Sequence, residues 1–153
     1  MAGAAFADPR QSPALLILFC RVVAMAITLT TAARNAACNA IVDLVDIGAA
    51  ANGTIVIYSG GVGGTTLATF TTATTAFGNA SAGTATLAST PLSATAAATG
   101  TANAFTLRDQ DNAEVLRGSV TATGGGGDIT IDNTSITSGQ TVNLTSFTFT
   151  VSA

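Results

Sequence analysis

The sequence predicts a mainly β protein, an antiparallel β-sandwich or a flattened barrel, with one α-helix at its N-terminal end. Two observations favour this class. One amphipathic stretch at about residues 31–47 has helical periodicity, and short apolar or alternating segments separated by frequent turns come after it. Thr and Ala dominate the chain, and only 8% of its residues are charged. A length of 153 residues suits one domain, which we assign to residues 25–153.

Residues 1–24 differ in character from the rest of the chain. Their uninterrupted apolar run, residues 14–19, is shorter than the roughly 20 residues that span a bilayer. A cleaved signal peptide is the alternative, although Arg21 interrupts the apolar stretch. Because Met25 begins a segment typical of a protein start, we predict that residues 1–24 are an upstream extension or a signal-like segment outside the domain.

The helix has recognisable signals at both ends. Thr30 or Thr31 can cap its first turn, and Gly48 follows the last periodic residue, where a left-handed conformation is common. Apolar residues recur at spacings of three and four and predict the face that packs on the sheet: Ala33, Ala37, Ile41 and Leu44. Polar residues are expected mostly on other faces: Arg34, Asn35, Asn39, Asp43 and Asp46.

Side-chain alternation predicts the strands. Residues 54–59 are apolar on both faces, which predicts an interior strand covered on both sides. Residues 102–120 form the clearest hairpin, with a turn at Asp109–Asn112. The apolar residues of the last strand change parity: Val142 and Leu144, then Phe147, Phe149 and Val151. A bulge is therefore expected near Thr145–Ser146.

The two cysteines give no metal-ligand spacing. Cys38 is expected near the inner face of the helix as a small buried hydrophobe. A disulfide between Cys38 and Cys20 is the less favoured alternative.

Three groups of residues resemble functional sites, and each has a simpler structural explanation. The acidic turn resembles part of a calcium loop, but it lacks the required glycine and final acid, which favours a solvated turn: Asp109, Asp111, Asn112 and Glu114. The glycine runs 60–64 and 124–127 precede neither Lys nor a helix start, as a phosphate cradle requires. Asp128 and Asp132 would lie about 13 Å apart along one strand, too far for a catalytic pair.

The composition disfavours several classes of function. The chain has no His, which removes the commonest general base and metal ligand. Its five cationic residues are scattered arginines, which disfavours a basic nucleic-acid-binding face: Arg10, Arg21, Arg34, Arg108 and Arg117. We therefore expect no enzyme activity, no cofactor, no metal, no nucleic-acid partner and no membrane association of the mature form.

Three segments together carry a family resemblance. They are residues 27–44 with 53–60, the hairpin 105–120, and residues 129–151. In these segments the chain resembles small virion structural proteins encoded among the head and tail genes of tailed bacteriophages. The resemblance implies a non-enzymatic particle component, such as a capsid decoration or cement protein, located in the virion and assembled in the bacterial cytoplasm. It implies no functional residues, because these motifs belong to the framework.

The expected partners derive from the resemblance and from the surface. The protein is expected to bind itself as a homo-oligomer, the major capsid protein or another virion protein. Few charges and no lysines leave the sheet edges unguarded, which favours association. The alternative is a secreted or cell-surface bacterial β-domain, such as an adhesin or a pilus-like module, in an extracellular location.

Overall fold

The structure is a computed structural model that describes residues 27–153. The predictions for residues 1–24 and for Cys20 lie outside the described residues. The chain forms one α-helix with a 3₁₀ extension and nine strands, in this order: α1 (Thr31–Val42), 3₁₀ helix (Asp43–Asp46), β1 (Thr54–Ser59), β2 (Thr65–Thr71), β3 (Thr84–Thr86), β4 (Leu92–Thr95), β5 (Gly100–Arg108), β6 (Glu114–Ala122), β7 (Ile129–Ile131), β8 (Ser135–Ile136) and β9 (Thr141–Thr150).

The nine strands form one curled sheet. Its order is β2-β1-β5-β6-β7-β9-β3, while β4 pairs with β9 and β8 with β5. Every ladder is antiparallel except β6–β7, which is parallel. The curl gives a half-barrel with one helix, which confirms the predicted fold class.

A side-chain cap begins the helix as predicted. The Thr30 hydroxyl accepts a hydrogen bond from the Ala33 N–H at 3.2 Å, which satisfies one of the first unpaired amides. The α-helix ends at Val42, and the 3₁₀ turn carries the chain to Asp46 before Ile47 becomes extended. The two pieces together cover the stretch predicted at about residues 31–47.

The predicted buried face of the helix is wrong. Leu44 is 45% exposed and Ala33 is exposed, while Ala37 and Ile41 are only half-buried. The fully buried residues lie one position later along the chain: Cys38, Val42 and Val45. The predicted burial of Cys38 is confirmed.

Polar side chains explain this rotation of the helix. Asn39 and Asp46, expected on an outer face, are half-buried and accept hydrogen bonds from Ala80 N at 2.7 Å and Ala76 N at 3.0 Å. Asn35 likewise accepts from Gly83 N at 2.7 Å. The two apolar sets have the same spacing, so periodicity could not choose between them. The loop amides need hydrogen-bond acceptors, so the helix adopts the rotation that turns Asn35, Asn39 and Asp46 toward the loop.

The interior position of β1 is confirmed. It pairs with β2 on one side and with β5 on the other, and its four central residues are all buried. Tyr58 is buried with its hydroxyl 3.2 Å from Thr106 Oγ1, and Arg108 donates to the same hydroxyl at 2.9 Å. The buried polar atoms of this face are therefore paired, as a covered strand requires.

The predicted bulge of the last strand is also confirmed. Ile129 pairs with Phe147 and Ile131 pairs with Leu144, so β9 carries one extra residue between these partners. Thr145 Oγ1 donates to Thr130 O at 3.1 Å beside the irregularity. The shift lets Leu144 and Phe147 both face the core despite their opposite parity.

Phenylalanine rings form the centre of the core. Phe147 makes edge-to-face contacts with Phe77 and Phe105, with ring centroids 5.2 Å apart in both pairs. The helix adds to the rim of this core through Val45, which packs against Gly53 so closely that a Cβ on Gly53 would overlap it.

Substitutions at two adjacent helix positions test this orientation. Val45→Ala removes buried methyl groups and is expected to lower the free energy of unfolding by about 2 kcal/mol. Leu44→Ala, at the half-exposed neighbour, is expected to lower it by less than about 1 kcal/mol. Urea denaturation of both variants measures the difference. An equal or larger loss for Leu44→Ala would contradict the observed rotation.

Candidate functional site

The acidic residues at the β5–β6 turn stabilise the turn itself. Asp109 Oδ1 accepts from Asp111 N at 2.9 Å and from Ala113 N at 2.7 Å, and Asp111 Oδ1 accepts from Ala49 N at 2.9 Å. Glu114 pairs with Arg117 along β6. Across residues 27–153, no group of three His, Cys, Asp or Glu side chains is placed to hold a metal ion.

The two glycine runs are turns between strands. Residues 60–64 join β1 to β2, with left-handed backbones at Gly60, Gly61 and Gly63. Residues 124–127 form most of the short return from β6 to the parallel β7. A Cβ at either Gly125 or Gly127 would lie within 2.9 Å of Thr121 side-chain atoms, so the return is tight enough to require glycine there.

The structure does not bring Asp128 and Asp132 together. Asp128 precedes β7 and accepts from Ser119 on β6. Asp132 follows β7 and accepts from the backbone N–H and side-chain amide of Asn143 on β9, at 3.2 and 2.7 Å. Each carboxylate therefore ties one end of β7 to a different neighbouring strand. Cys38 is a free buried thiol whose Sγ lies 3.5 Å from Phe149 O.

A gap in the sheet forms a concave groove. β7 has three residues, whereas β6 has nine and β9 has ten. It pairs only with residues 120–122 of β6 and residues 144–147 of β9. Beyond β7, the facing parts of β6 and β9 enclose a groove of about 300 Å³. It is lined by Phe105, Leu116, Arg117, Asp128, Phe147, Thr148, Phe149 and Thr150.

The two walls of this groove are open strand edges. Backbone groups of alternate residues in an antiparallel strand point to opposite sides. Ser119 N–H points away from β5 to Asp128, so the backbone of Arg117 faces the groove as well. On β9, Phe147 C=O accepts from Leu87 on the β3 side, so the backbones of Thr148 and Thr150 face the groove. The groove thus offers hydrogen-bonding groups on both sides.

The floor of the groove is apolar and close to Gly118. Phe105, Phe147 and Phe149 supply aromatic surface. A Cβ on Gly118 would lie 2.6 Å from Asp128 Oδ2 and 2.8 Å from Phe105 Cε1. Gly118 therefore gives the Asp128 carboxylate its place at the inner end of the groove.

Two hydrogen bonds from Ser119 stabilise the ionised carboxylate of Asp128. The Ser119 backbone N–H and hydroxyl both donate to Oδ2 at 2.7 Å. The backbone bond and then the hydroxyl bond hold the pKa of Asp128 below its ordinary value, against a smaller opposing effect of burial. The inner end of the groove therefore carries a fixed negative charge, and Arg117 lies on its wall.

The groove was not predictable from side-chain patterns because it depends on the length of a single strand. The alternation of apolar and polar side chains does not set where β7 begins. The sequence feature that could have revealed the groove is the glycine run 124–127 directly before Asp128. A tight return there prevents β7 from extending alongside the first half of β6.

No protein-family model, curated protein or solved structure matches this chain. No helix within residues 27–153 is both long enough and apolar enough to cross a bilayer.

Asp128 should make the free energy of unfolding depend on pH in the acidic range. Its folded-state pKa lies below the unfolded value of about 3.9, so its contribution is complete above that value and is lost as pH falls through the folded pKa. Asp128→Ala is expected to cost about 1 kcal/mol at pH 7, after allowing for solvent exposure, and less as the pH falls through the folded pKa. Urea denaturation from pH 7 into the acidic range measures the effect, with Asn133→Ala, which removes a hydrogen-bonding side chain that does not titrate, as the control. A cost for Asp128→Ala that did not change with pH would contradict it.

Proposed function

We propose that this protein is a non-enzymatic structural component of a bacteriophage particle, of the capsid decoration or cement type. It acts in the virion, after assembly in the bacterial cytoplasm, and binds itself and the major capsid protein or another virion protein. The observation that carries the proposal is the number of large apolar side chains left in solvent by a weakly charged domain: Ile27, Leu29, Leu44, Ile47 and Val62, which are 39–92% exposed.

The rotated helix supports a contact surface of this kind. Ile41, Leu44 and Ile47 succeed one another at spacings of three, and the sheet leaves them half-buried or exposed. We call these three residues the helix-side patch. A shallow apolar surface repeated on many copies suits a lattice, where several weak contacts combine into stable attachment.

The charged residues support a protein partner more than a nucleic acid. Arg117 pairs with Glu114, and Arg108 is hydrogen-bonded to Tyr58 and Asn112. These arginines bind groups within the sheet and its turn, which supports the expectation that the partner is a protein surface of low charge.

A secreted or cell-surface β-domain, of the adhesin or pilus-like type, is the second candidate. The open groove between β6 and β9 favours it, because pilus subunits assemble when an extended segment fills a strand position. Neighbouring genes separate the two candidates. Capsid, portal or tail genes would support the particle component, whereas secretion or usher genes would support the extracellular module.

Binding to purified phage shells tests the proposed function. Sedimentation of the protein with the shells is expected to give a saturable bound fraction. Leu44→Asp/Ile47→Asp should reduce the affinity at least about tenfold, because a charge would be buried against the shell. Thr74→Asp/Thr75→Asp, in the exposed loop between β2 and β3, adds the same charge elsewhere as the control. A stable monomer that does not bind the shells would reject the decoration function.

A further inference from the structure

The chain carries an exposed segment with the pattern of a strand. Residues 27–30 precede α1 outside any helix or strand, and the backbone of Thr30 is extended. Ile27 is 92% exposed and Leu29 is 42% exposed, while Thr28 and Thr30 alternate with them. Alternating apolar and polar residues would place Ile27 and Leu29 on one face of a β-strand. We call residues 27–30 the arm.

The groove between β6 and β9 has the features that such a strand requires. Its walls present backbone groups of Arg117 on one side and of Thr148 and Thr150 on the other, and its floor is aromatic. Four extended residues span about 13 Å, which fits within the roughly 20 Å of β6, residues 114–119, that precedes its pairing with β7. The arm carries no charged side chain, which suits the apolar floor.

We propose that the arm of a second copy of this chain enters the groove as an added strand between β6 and β9. Its backbone bonds to the two open edges, Ile27 and Leu29 contact the phenylalanine floor, and Thr28 faces solvent. This inference rests on the proposed self-association and names the contact that produces it. Strand addition of this kind combines backbone hydrogen bonds for affinity with side-chain pockets for specificity.

The chain's own arm does not fill its groove, which leaves the groove open to the arm of a second copy. Asn35 and Cys38 fix α1 against Gly83 and Phe149, near the C-terminal end of β9 and one side of the groove. The chain's own Ile27 nevertheless points into solvent, so its own groove is not the partner in the described arrangement. Each copy then offers one arm and one groove, and this head-to-tail arrangement builds rings or filaments.

Disulfide trapping between two single-site variants tests the contact directly. Both full-length variants carry Cys20→Ser. Protein with Thr28→Cys is mixed with protein carrying Thr148→Cys or Thr150→Cys, and the mixture is oxidised mildly. Thr28 is the outward-facing arm residue, so its substitution leaves the apolar face intact. A cross-linked heterodimer, several-fold more abundant than with Thr141→Cys on the part of β9 beside β4, is expected. Cross-linking no stronger than with Thr141→Cys would overturn the proposal.

Arm substitutions separate this inference from the function on which it rests. Ile27→Asp/Leu29→Asp should raise the self-dissociation constant at least about tenfold, measured by analytical ultracentrifugation. Thr74→Asp/Thr75→Asp, which adds the same charge in the exposed loop between β2 and β3, outside the arm, the groove and the helix-side patch, is the matched control and should leave self-association unchanged. Circular dichroism checks that both variants fold. Unchanged self-association of the arm variant, or a wild-type protein that stays monomeric, would overturn the arm contact. Binding to the phage shells would still test the decoration function independently.

Discussion

The orientation of the helix depends on three side-chain acceptors. Asn35, Asn39 and Asp46 bind the backbone amides of Gly83, Ala80 and Ala76, in a loop that runs between β2 and β3. That loop has few ladder partners of its own, so its buried amides depend on the helix for acceptors. Once these contacts fix the rotation of α1, Cys38, Val42 and Val45 must enter the core. The same rotation leaves the helix-side patch in solvent, so one polar requirement decides both the packing and the available surface.

Much of the fold could be predicted because the signals were local. The Thr30 cap, the doubly apolar β1 and the turn at Asp109–Asn112 each depend on residues close in sequence. The bulge at Thr145 was also predictable, since a continuous buried face cannot otherwise change parity. The rotation of α1 was not, because adjacent apolar residues gave two faces of equal periodicity. Only the distant amides of the loop distinguish them.

The parallel pairing of β6 with β7 could not be predicted from the sequence. Parallel neighbours usually need a long crossover, and here residues 123–128 make the return. Glycine allows it, because the loop passes close to Thr121. The groove is a consequence of the same connection, since a strand that starts so late leaves the first half of β6 without a neighbour on the side opposite β5. Strand length and register, both non-local properties, therefore determine the candidate site.

Asp128 gives the groove a defined inner end. Its carboxylate already satisfies the N–H of Ser119, so a strand lying between β6 and β9 must stop short of that position. A charged group that points inward at an open edge also opposes unlimited pairing with other chains, which is how many natural sheets avoid aggregation. Gly118 makes this limit possible because it leaves space for the Asp128 carboxylate. The sheet can thus remain open at one place while the register and length of any added strand stay limited.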